Sequence, residues 1–207
     1  MSPNNAPAIG LFGGRFDPVH VGHIEIAKSC ADALSLSQVR WIVAGDPPHK
    51  TAFAPAHDRL AMVKLAIEAM HDARMVADDQ EIQAAQNGQP TYTADTLARL
   101  QQQIPDQSFI WMMGADQLRD FTTWSRWEWL IEHMALAVVG RPSVDCEATL
   151  HRLQSHHATI HWVDCSLHPV SSTEIRARIA RCQPLSRLVP PQIETYLAEH
   201  RLYTQSN

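Results

Sequence analysis

The sequence predicts an α/β fold in which helices cover both faces of a mostly parallel β-sheet, giving three layers. Short apolar runs of strand length alternate with longer segments whose apolar residues recur at helical spacing. Hydrophobic residues make up 45% of the 207 positions, which is enough to build a core without disulfides. Glycines end several strand-like runs where polar segments begin. Parallel sheets bind ligands at this place, beyond the carboxyl ends of their strands.

The predicted elements alternate along the whole chain. We predict strands over residues 9–12, 39–44, 74–77, 108–113, 134–139 and 159–163. We predict a helix that begins near residues 20–23, followed by helices over residues 60–70, 93–103, 127–133, 148–154, 174–180 and 192–199. A helix between two strands supplies the crossover that parallel pairing requires, so this order favours a parallel sheet.

Charge and length exclude several classes of protein. The chain has 17 basic and 22 acidic residues, a formal net charge of −5, whereas non-specific nucleic-acid binding requires a basic face. The first residues contain no apolar signal segment, and no stretch approaches 18 apolar residues. We therefore expect no nucleic-acid partner, no membrane association and a cytoplasmic location. We also expect one domain over residues 1–207, with residues 1–8 flexible.

The cysteines indicate neither a disulfide framework nor a zinc ribbon. Cys30, Cys146, Cys165 and Cys182 form no C-x-x-C pair, and their spacing is irregular. Small buried thiols in a reducing compartment are the simpler interpretation.

The first segment that suggests chemistry is GGRFDPVHVGH, at residues 13–23, between a predicted strand and a predicted helix. Gly13 and Gly14 let the backbone approach a ligand closely, and the N–H groups of a helix N-terminus suit phosphate. His20 and His23 are three residues apart, so near a helix start they face the same way. Imidazoles that donate hydrogen bonds and carry charge near neutral pH would stabilise a crowded phosphate.

Two other interpretations of this histidine pair remain open. Histidines three apart can ligate zinc, but a zinc site needs a third and a fourth ligand. The chain has 12 histidines, and the others show no ligand spacing. The pair could also lie on the surface without a function. We predict no metal site.

A second segment, VSSTEIR at residues 170–176, begins a predicted helix. Ser171 and Glu174 fit a capping box, which is a purely structural explanation. Thr173 and Arg176 add a hydroxyl and a guanidinium to the same helix start, which makes a second phosphate site. Two such sites suit a triphosphate.

Four shorter segments lie between these two. Pro47-Pro48-His49-Lys50 is either a rigid polar loop or a cationic pair, His49 and Lys50, directed at the same phosphates. Thr93 stands at a predicted helix start, where it fits a simple N-cap. A helix N-terminus is also suited to holding a carboxylate.

The other two segments follow the fourth predicted strand. Gly114-Ala115-Asp116 is either a turn whose aspartate caps the next helix or part of a nucleotide site. Trp127 and Trp129 have the spacing of core residues, whereas Trp124 offers a flat face that suits a planar ring.

Together these segments resemble one known family. Residues 13–23 are similar to the G-G-x-F-D-P-x-H-x-G-H signature of the nucleotidyltransferase superfamily with paired histidines, and residues 171–176 to its S-x-T-x-x-R motif. The P-P-H-K and T-x-x-T-L segments resemble those of bacterial nicotinate-nucleotide adenylyltransferases. The likeness extends from about residue 9 to residue 203. Arg15 stands where that family more often has Ser or Thr, and we assign it no role.

The resemblance implies a single nucleotidyltransferase domain with a Rossmann-like three-layer fold, in which residues 170–207 complete the ATP site. It implies that His20, His23 and Arg176 are catalytic. The ATP-binding residues that it implies are Gly13, Gly14, Phe16, His20, Gly22, His23, Gly114, Asp116, Ser171, Thr173 and Arg176. The implied residues for the second substrate are His49, Lys50, Thr93, Ala94 and Trp124, with Trp124 stacked on its ring.

The activity implied is adenylyl transfer from ATP to nicotinate mononucleotide, giving nicotinate adenine dinucleotide and pyrophosphate in NAD biosynthesis. The implied partners are these two small molecules, and Mg²⁺ would accompany ATP without a dedicated protein site. The sequence contains no evident Ser–His–acid or Cys–His arrangement, so we expect no covalent intermediate. Alternatives are a sister enzyme that acts on nicotinamide mononucleotide, phosphopantetheine or a flavin precursor, and a non-catalytic nucleotide-binding protein.

Overall fold

The computed structural model describes residues 7–45, 53–89, 91–140, 146–165 and 169–204. Within these ranges the strands are β1 (Ile9–Gly14), β2 (Gln38–Val43), β3 (Met75–Asp78), β4 (Phe109–Gly114), β5 (Ala135–Val139) and β6 (Ile160–Val163). The helices are α1 (Val21–Ala33), α2 (Ala56–Met70), α3 (Gln80–Gln86), α4 (Thr93–Gln103), α5 (Ala115–Leu118), α6 (Trp127–His133), α7 (Glu147–Ser155), α8 (Ser172–Ala180) and α9 (Pro191–Glu199). A single 3₁₀ turn, Phe121–Thr123, lies between α5 and α6.

The six strands form one sheet in the order β3-β2-β1-β4-β5-β6, and every neighbouring pair is parallel. The predicted α/β class is therefore confirmed, with a sheet that is wholly rather than mostly parallel. β1 lies between β2 and β4, so the strand order reverses direction at β1. A crevice opens at such a reversal, beyond the carboxyl ends of the two central strands.

Two hydrophobic cores lie on opposite faces of the sheet. Successive side chains of β1 point to opposite faces, so Leu11 belongs to one core and Phe12 to the other. Both side chains are buried, at 0% and 4% exposure. The core around Phe12 is covered by α1, α2, α8 and α9, and the core around Leu11 by α4, α6 and α7. The three predicted layers are these two sets of helices and the sheet between them.

The structure differs from the predicted elements mainly in short or polar helices. α2 begins at Ala56, four residues earlier than predicted. Its first turn contains the buried Asp58, which accepts a hydrogen bond from the hydroxyl of Tyr196. The sequence did not predict α3, which has few apolar residues and is held partly through the buried carboxyl of Glu81. α5 and the 3₁₀ turn were also missed, because a single turn is too short to show a period.

In the part of the chain that the structure describes, no helix is both long and apolar enough to cross a membrane. The four cysteines form no disulfide among the described residues. Cys30 and Cys146 are buried and Cys165 is half-buried. Cys182 is exposed, so the expectation of buried thiols was wrong for that residue, which lies in the turn after α8.

Candidate active site

A cleft of about 330 Å³ opens at the carboxyl ends of β1 and β4, between the first turns of α1 and α8. It brings together both of the segments that the sequence singled out. The predicted site residues that line it are Gly13, Gly14, Phe16, His20, His23, Gly114, Asp116, Ser171, Thr173 and Arg176. Gly22 is buried and does not line the cleft: a side chain there would meet Nδ1 of His20 and Cγ1 of Val170, each at 3.2 Å.

His20 and His23 lie face to face in this cleft. Their ring centroids are 3.7 Å apart and their planes are inclined by 27°. The backbone N–H of His20 donates a 3.2 Å hydrogen bond to Nδ1 of His23. Because Nδ1 of His23 accepts this bond, its neutral ring carries the proton on Nε2, which is then a donor. The predicted shared orientation of the two rings is therefore present.

Burial disfavours the charged form of both histidines. Burial lowers the pKa of His20 from its ordinary value of 6.5 to about 4. Burial, followed by the proximity of His20, lowers the pKa of His23 well below its ordinary value. The structure thus favours uncharged rings, whereas the sequence led us to expect charge near neutral pH. A neutral imidazole still donates one hydrogen bond.

The N-terminus of α1 is less open than the sequence suggested. The N–H of Val21 donates to the carbonyl oxygen of Leu188 at 3.0 Å, and the N–H groups of His23 and Ile24 donate to the carbonyl oxygen of His20. Most N–H groups of the first turn are therefore already bonded within the protein. Fewer N–H groups are therefore available to a ligand at this helix end than the sequence suggested.

The N-terminus of α8 is open. Ser171 caps the helix, because its Oγ accepts a 3.1 Å hydrogen bond from the N–H of Glu174. The carboxylate of Glu174 accepts from Arg178 instead of completing the predicted capping box. The N–H groups of Ser172 and Thr173 are the first two of the helix and have no acceptor inside it. They lie at the cleft beside the hydroxyls of the same residues.

Arg176 lies one turn into α8 and is held at three points. Nη1 donates a 2.6 Å hydrogen bond to the carbonyl oxygen of Asp17, and Nη2 donates a 3.2 Å bond to Oγ1 of Thr173. Its guanidinium carbon lies 4.2 Å from the centre of the Phe53 ring, within cation–π range. Phe53 is itself 59% exposed. These contacts hold the arginine at the cleft before any ligand arrives.

Sequence reasoning missed the part that Asp17 plays. Asp17 is 3% exposed and accepts three hydrogen bonds, from the N–H groups of Phe53 and Ala54 and from the hydroxyl of Tyr203. Its carboxylate thereby joins the turn after β1 to the start of α2 and to the end of the described chain. Asp17 is one of the specified positions of the first motif, which was the available signal. Its distant partners could not be found from spacing.

Close packing beneath the turn fixes its shape. Phe16 adopts a left-handed backbone with φ of 52°, which is uncommon for a bulky residue. Its ring is 2% exposed and packs edge-on against His23, with centroids 5.1 Å apart. Gly13 has no room for a side chain, because a Cβ there would come within 2.5 Å of the Trp111 ring. Phe16 thus supports the histidine pair from below, with little surface left to touch a ligand.

The residues predicted for the second substrate form a separate group. Thr93 is the first residue of α4 and Ala94 the second, and the N-cap is Tyr92 rather than Thr93. Trp124 is half-buried and follows the 3₁₀ turn. Its ring packs edge-on against Trp111, with centroids 5.9 Å apart. Since Trp111 also touches Gly13, this pair of tryptophans connects the group to the cleft.

Two polar contacts fix the start of α4. The hydroxyl of Thr96 donates a 2.7 Å hydrogen bond to the carboxyl of Glu81 on α3. Arg126, two residues after Trp124, forms an ion pair with Asp95 in the first turn of α4. The predicted substrate residues His49 and Lys50 lie outside the described residues.

The described residues contain no group of three or more His, Cys, Asp or Glu side chains arranged to hold a metal ion. The lining carboxylates are Asp17, which is fully hydrogen-bonded, and Asp116, which is exposed.

The fold is similar to that of solved structures. The nicotinic acid mononucleotide adenylyltransferase of Plasmodium falciparum complexed with NaAD matches with a TM-score of 0.78, covering 96% of this chain and 98% of that one. A second structure of the same protein, complexed with APC, matches with a TM-score of 0.75. At 18% and 17% sequence identity, these matches bear on the fold alone.

Sequence similarity is much higher to other proteins. Residues 11–178 match the cytidylyltransferase-like family. The chain is 40% identical, over 202 residues, to a Neisseria meningitidis protein named "probable nicotinate-nucleotide adenylyltransferase", covering 94% of this chain and 98% of that protein. It is 37% identical to a Bordetella avium protein of the same name, covering 94% and 97%. The chain therefore belongs to the cytidylyltransferase-like family and, within it, to the nicotinate-nucleotide adenylyltransferases.

Proposed function

We propose that this protein transfers the adenylyl group of ATP to nicotinate mononucleotide, forming nicotinate adenine dinucleotide and releasing pyrophosphate. One observation carries the proposal. The stacked His20–His23 pair and the open N-terminus of α8 with Arg176 share one cleft at the reversal of strand order. Such a cleft can hold a triphosphate at two points, one for the α-phosphate and one for the outer phosphates.

In this proposal the histidines act on the α-phosphate. Nε2–H of His23 donates to a phosphate oxygen, and His20 lies in contact with the same ring. A bound phosphate places negative charge beside the two rings, and that charge favours their protonated forms. Charge that develops on the phosphorus centre in the transition state would therefore be stabilised more strongly than charge in the ground state.

We assign the β- and γ-phosphates to α8. The N–H groups of Ser172 and Thr173 and the helix dipole favour an anion at this end. The hydroxyls of Ser171 and Thr173 and the guanidinium of Arg176 add donors. Because Arg176 is already held by Asp17 and Phe53, its binding of phosphate costs little additional ordering.

The reaction that suits this arrangement is a direct in-line displacement. A phosphate oxygen of the mononucleotide forms a new bond to the α-phosphorus of ATP. The bond from that phosphorus to the oxygen bridging the β-phosphate breaks, and pyrophosphate leaves with the electron pair. Catalysis then consists of positioning and charge stabilisation, without a covalent enzyme intermediate.

We assign the pyridine ring of the mononucleotide to the second group of residues. The N–H groups of Thr93 and Ala94 begin α4 and have no acceptor inside that helix, so they suit the ring carboxylate. Trp124 would cover the ring face by stacking. His49 and Lys50 stay predicted contributors to phosphate binding.

Mg²⁺ would enter with ATP. Mg²⁺ retains several waters and binds mainly through substrate phosphates, so it needs few protein ligands. The described part of the chain offers no three-ligand group but does place the exposed Asp116 at the cleft. Such a carboxylate fits a water-mediated contact to the ion. The ion would supply neutralisation of phosphate charge.

A substrate panel tests the proposed function. The purified protein is incubated with ATP, Mg²⁺ and, separately, nicotinate mononucleotide, nicotinamide mononucleotide and phosphopantetheine, and pyrophosphate release and the dinucleotide product are measured. We expect the highest kcat/KM with nicotinate mononucleotide. A higher kcat/KM with either other acceptor would assign the chain to a sister enzyme. ATP binding without pyrophosphate release from any acceptor would make it a nucleotide-binding protein.

A further inference from the structure

Arg15 is placed at the cleft with a fixed backbone and an uncommitted side chain. It lies in the turn after β1 and lines the cleft. Its carbonyl oxygen accepts a 2.8 Å hydrogen bond from Nη1 of Arg59, whose side chain is completely buried. Arg59 also donates to the carbonyl oxygen of Ala54, which ties the turn to the start of α2. The backbone of Arg15 is therefore anchored from inside the protein.

The guanidinium of Arg15 has no comparable anchor. Arg15 is exposed, and among the described residues its side chain makes no hydrogen bond, ion pair or ring contact. Arg176, the other lining arginine, is engaged by the carbonyl of Asp17, the hydroxyl of Thr173 and the ring of Phe53. Of the two, only Arg15 has no donor engaged by another described residue.

The charge balance of the cleft makes this free cation significant. The charged side chains among the described lining residues are Arg15, Arg176, Asp17 and Asp116. Burial lowers the pKa values of both histidines and so disfavours a positive charge on the pair. The lining is thus balanced with Arg15 and net negative without it. A net negative lining would repel substrates that each carry phosphate.

We propose that Arg15 binds a phosphate group of a substrate and is the mobile second cation of this cleft. The inference rests on the proposed function, because it takes phosphorylated small molecules as the ligands. A guanidinium grips two phosphate oxygens through its planar fork. From its position on the turn, the side chain can reach either the outer phosphates of ATP or the monophosphate of the acceptor. Arg15 thereby takes part in binding, while His20 and His23 remain the residues nearest to the reacting centre.

The test compares Arg15→Thr and Arg15→Lys with wild type and with Arg181→Thr. Arg181 is an exposed arginine at the end of α8, outside the cleft, so it controls for the loss of a surface charge. Dissociation constants are measured by calorimetry for pyrophosphate, ATP and nicotinate mononucleotide, at several salt concentrations. Unfolding temperatures check that the variants fold. Product formation by the wild type is measured in parallel.

We expect Arg15→Thr to raise the dissociation constant of a phosphorylated ligand about tenfold and to make its binding less dependent on salt concentration. Arg15→Lys keeps the charge but loses the planar fork of the guanidinium. Its affinity should therefore fall only about threefold, with the salt dependence of the wild type. Weaker binding of pyrophosphate and ATP would place Arg15 at the outer phosphates of ATP. Weaker binding of nicotinate mononucleotide would place Arg15 at the monophosphate of the acceptor. Either result supports the proposal.

The proposal is overturned if Arg15→Thr changes all three dissociation constants less than twofold, or no more than Arg181→Thr does. That result would not contradict the proposed function, because adenylyl transfer by the wild type does not depend on the role of Arg15. Conversely, the wild type could form no dinucleotide and yet bind ATP more tightly than Arg15→Thr does. That result would contradict the proposed function and support the inference about Arg15.

Discussion

The hydroxyl of Tyr203 donates a 2.7 Å hydrogen bond to Oδ1 of Asp17, joining two residues that are 186 positions apart in the sequence. Burial is the largest cause that raises the pKa of Tyr203, followed by its bond to Asp17, so the hydroxyl keeps its proton and remains a donor. Through this bond the end of the described chain holds the turn that begins the cleft. The carbonyl oxygen of the same aspartate accepts from Arg176.

We predict that Tyr203→Phe lowers kcat/KM for adenylyl transfer and reduces the free energy of unfolding by about 1 kcal/mol, the usual net contribution of one hydrogen bond. The matched control is Tyr196→Phe. The hydroxyl of Tyr196 donates a 2.8 Å hydrogen bond to the buried Asp58, away from the cleft. Both variants should lose stability, but only Tyr203→Phe should lose activity. Equal activity of the two variants would contradict a role for Tyr203 in positioning the turn.

His20→Ala and His23→Ala should each lower kcat about 100-fold, corresponding to about 2.7 kcal/mol of transition-state stabilisation, with a smaller change in KM for ATP. The reason is that both rings lie at the cleft, in contact with each other. His133→Ala is the control, because His133 is also ring-stacked, on Trp129 at 4.2 Å, but outside the cleft. Steady-state kinetics checks the prediction. An unchanged kcat in either cleft variant would remove that histidine from the chemistry.

Arg176→Lys should lower kcat/KM for ATP about tenfold while folding is preserved. The guanidinium bonds the carbonyl of Asp17 and the hydroxyl of Thr173 at once, and an ammonium cannot keep both and still present a planar fork to phosphate. Arg178→Lys is the control on the same helix, since Arg178 pairs with Glu174 and does not line the cleft. If the two variants retain the same kcat/KM, the bidentate role of Arg176 is wrong.

The stability of Glu81→Gln relative to wild type should increase as the pH rises from 4.5 to 8. Burial raises the pKa of Glu81 to about 7, against an ordinary value of 4.5. Between these values the folded state keeps a proton that the unfolded state releases, so the wild type loses stability as the pH rises through this window. The loss amounts to about 3 kcal/mol at most. Glutamine has no such transition, and its amide oxygen can still accept from Thr96.

Urea unfolding at pH 4.5, 6, 7 and 8 measures this difference. Glu68→Gln, an exposed glutamate on α2, provides the control and should follow the wild type at every pH. If the stability difference between Glu81→Gln and wild type does not change with pH, Glu81 is ionised to the same extent in the folded and the unfolded protein. That result would contradict the prediction.

Thr93→Val should reduce the ratio of kcat/KM for nicotinate mononucleotide to kcat/KM for nicotinamide mononucleotide. Trp124→Ala should lower kcat/KM for both substrates by the same factor. Charge-assisted hydrogen bonds of about 1.5–3 kcal/mol each can produce a preference of about 100-fold for the acid form. Stacking does not distinguish a carboxylate from an amide, so loss of Trp124 should leave the ratio unchanged. Trp162→Ala, at an exposed residue of β6, is the control. Equal use of the two substrates by the wild type would overturn the preference.

Much of the fold could be predicted because the pattern that defines it is local. α4 and α6 begin and end where the sequence predicted, since their apolar spacing is regular. α3 was missed because it depends on a tertiary contact, the hydrogen bond from Thr96 to Glu81, which no window around residues 80–86 contains. The start of α2 was placed too late for the same reason, because its first turn is held by Tyr196 from α9.

The candidate site shows the same division. The common orientation of His20 and His23 follows from their spacing of three residues, and it was predicted. Their lowered pKa values follow from burial by the assembled fold, and the sequence suggested the opposite. The N-terminus of α1 was expected to be open, but the carbonyl of Leu188 occupies its first N–H. Residue spacing therefore predicts which way side chains point from one helix. The burial of those side chains and the partners of the helix N–H groups depend on residues far away in the sequence.

The long-range bonds of the turn after β1 also determine when this turn can be completed during synthesis. Three of the partners of Arg15 and Asp17 are Arg59, Arg176 and Tyr203, at sequence separations of 44, 159 and 186 residues. A ribosome that adds about 5–20 residues per second needs roughly 10–40 s to cover the longest of these distances. During that interval the carboxylate of Asp17 can accept from the N–H groups of Phe53 and Ala54 but not yet from the hydroxyl of Tyr203. The turn after β1 therefore reaches its full set of described bonds only after residue 203 has been added.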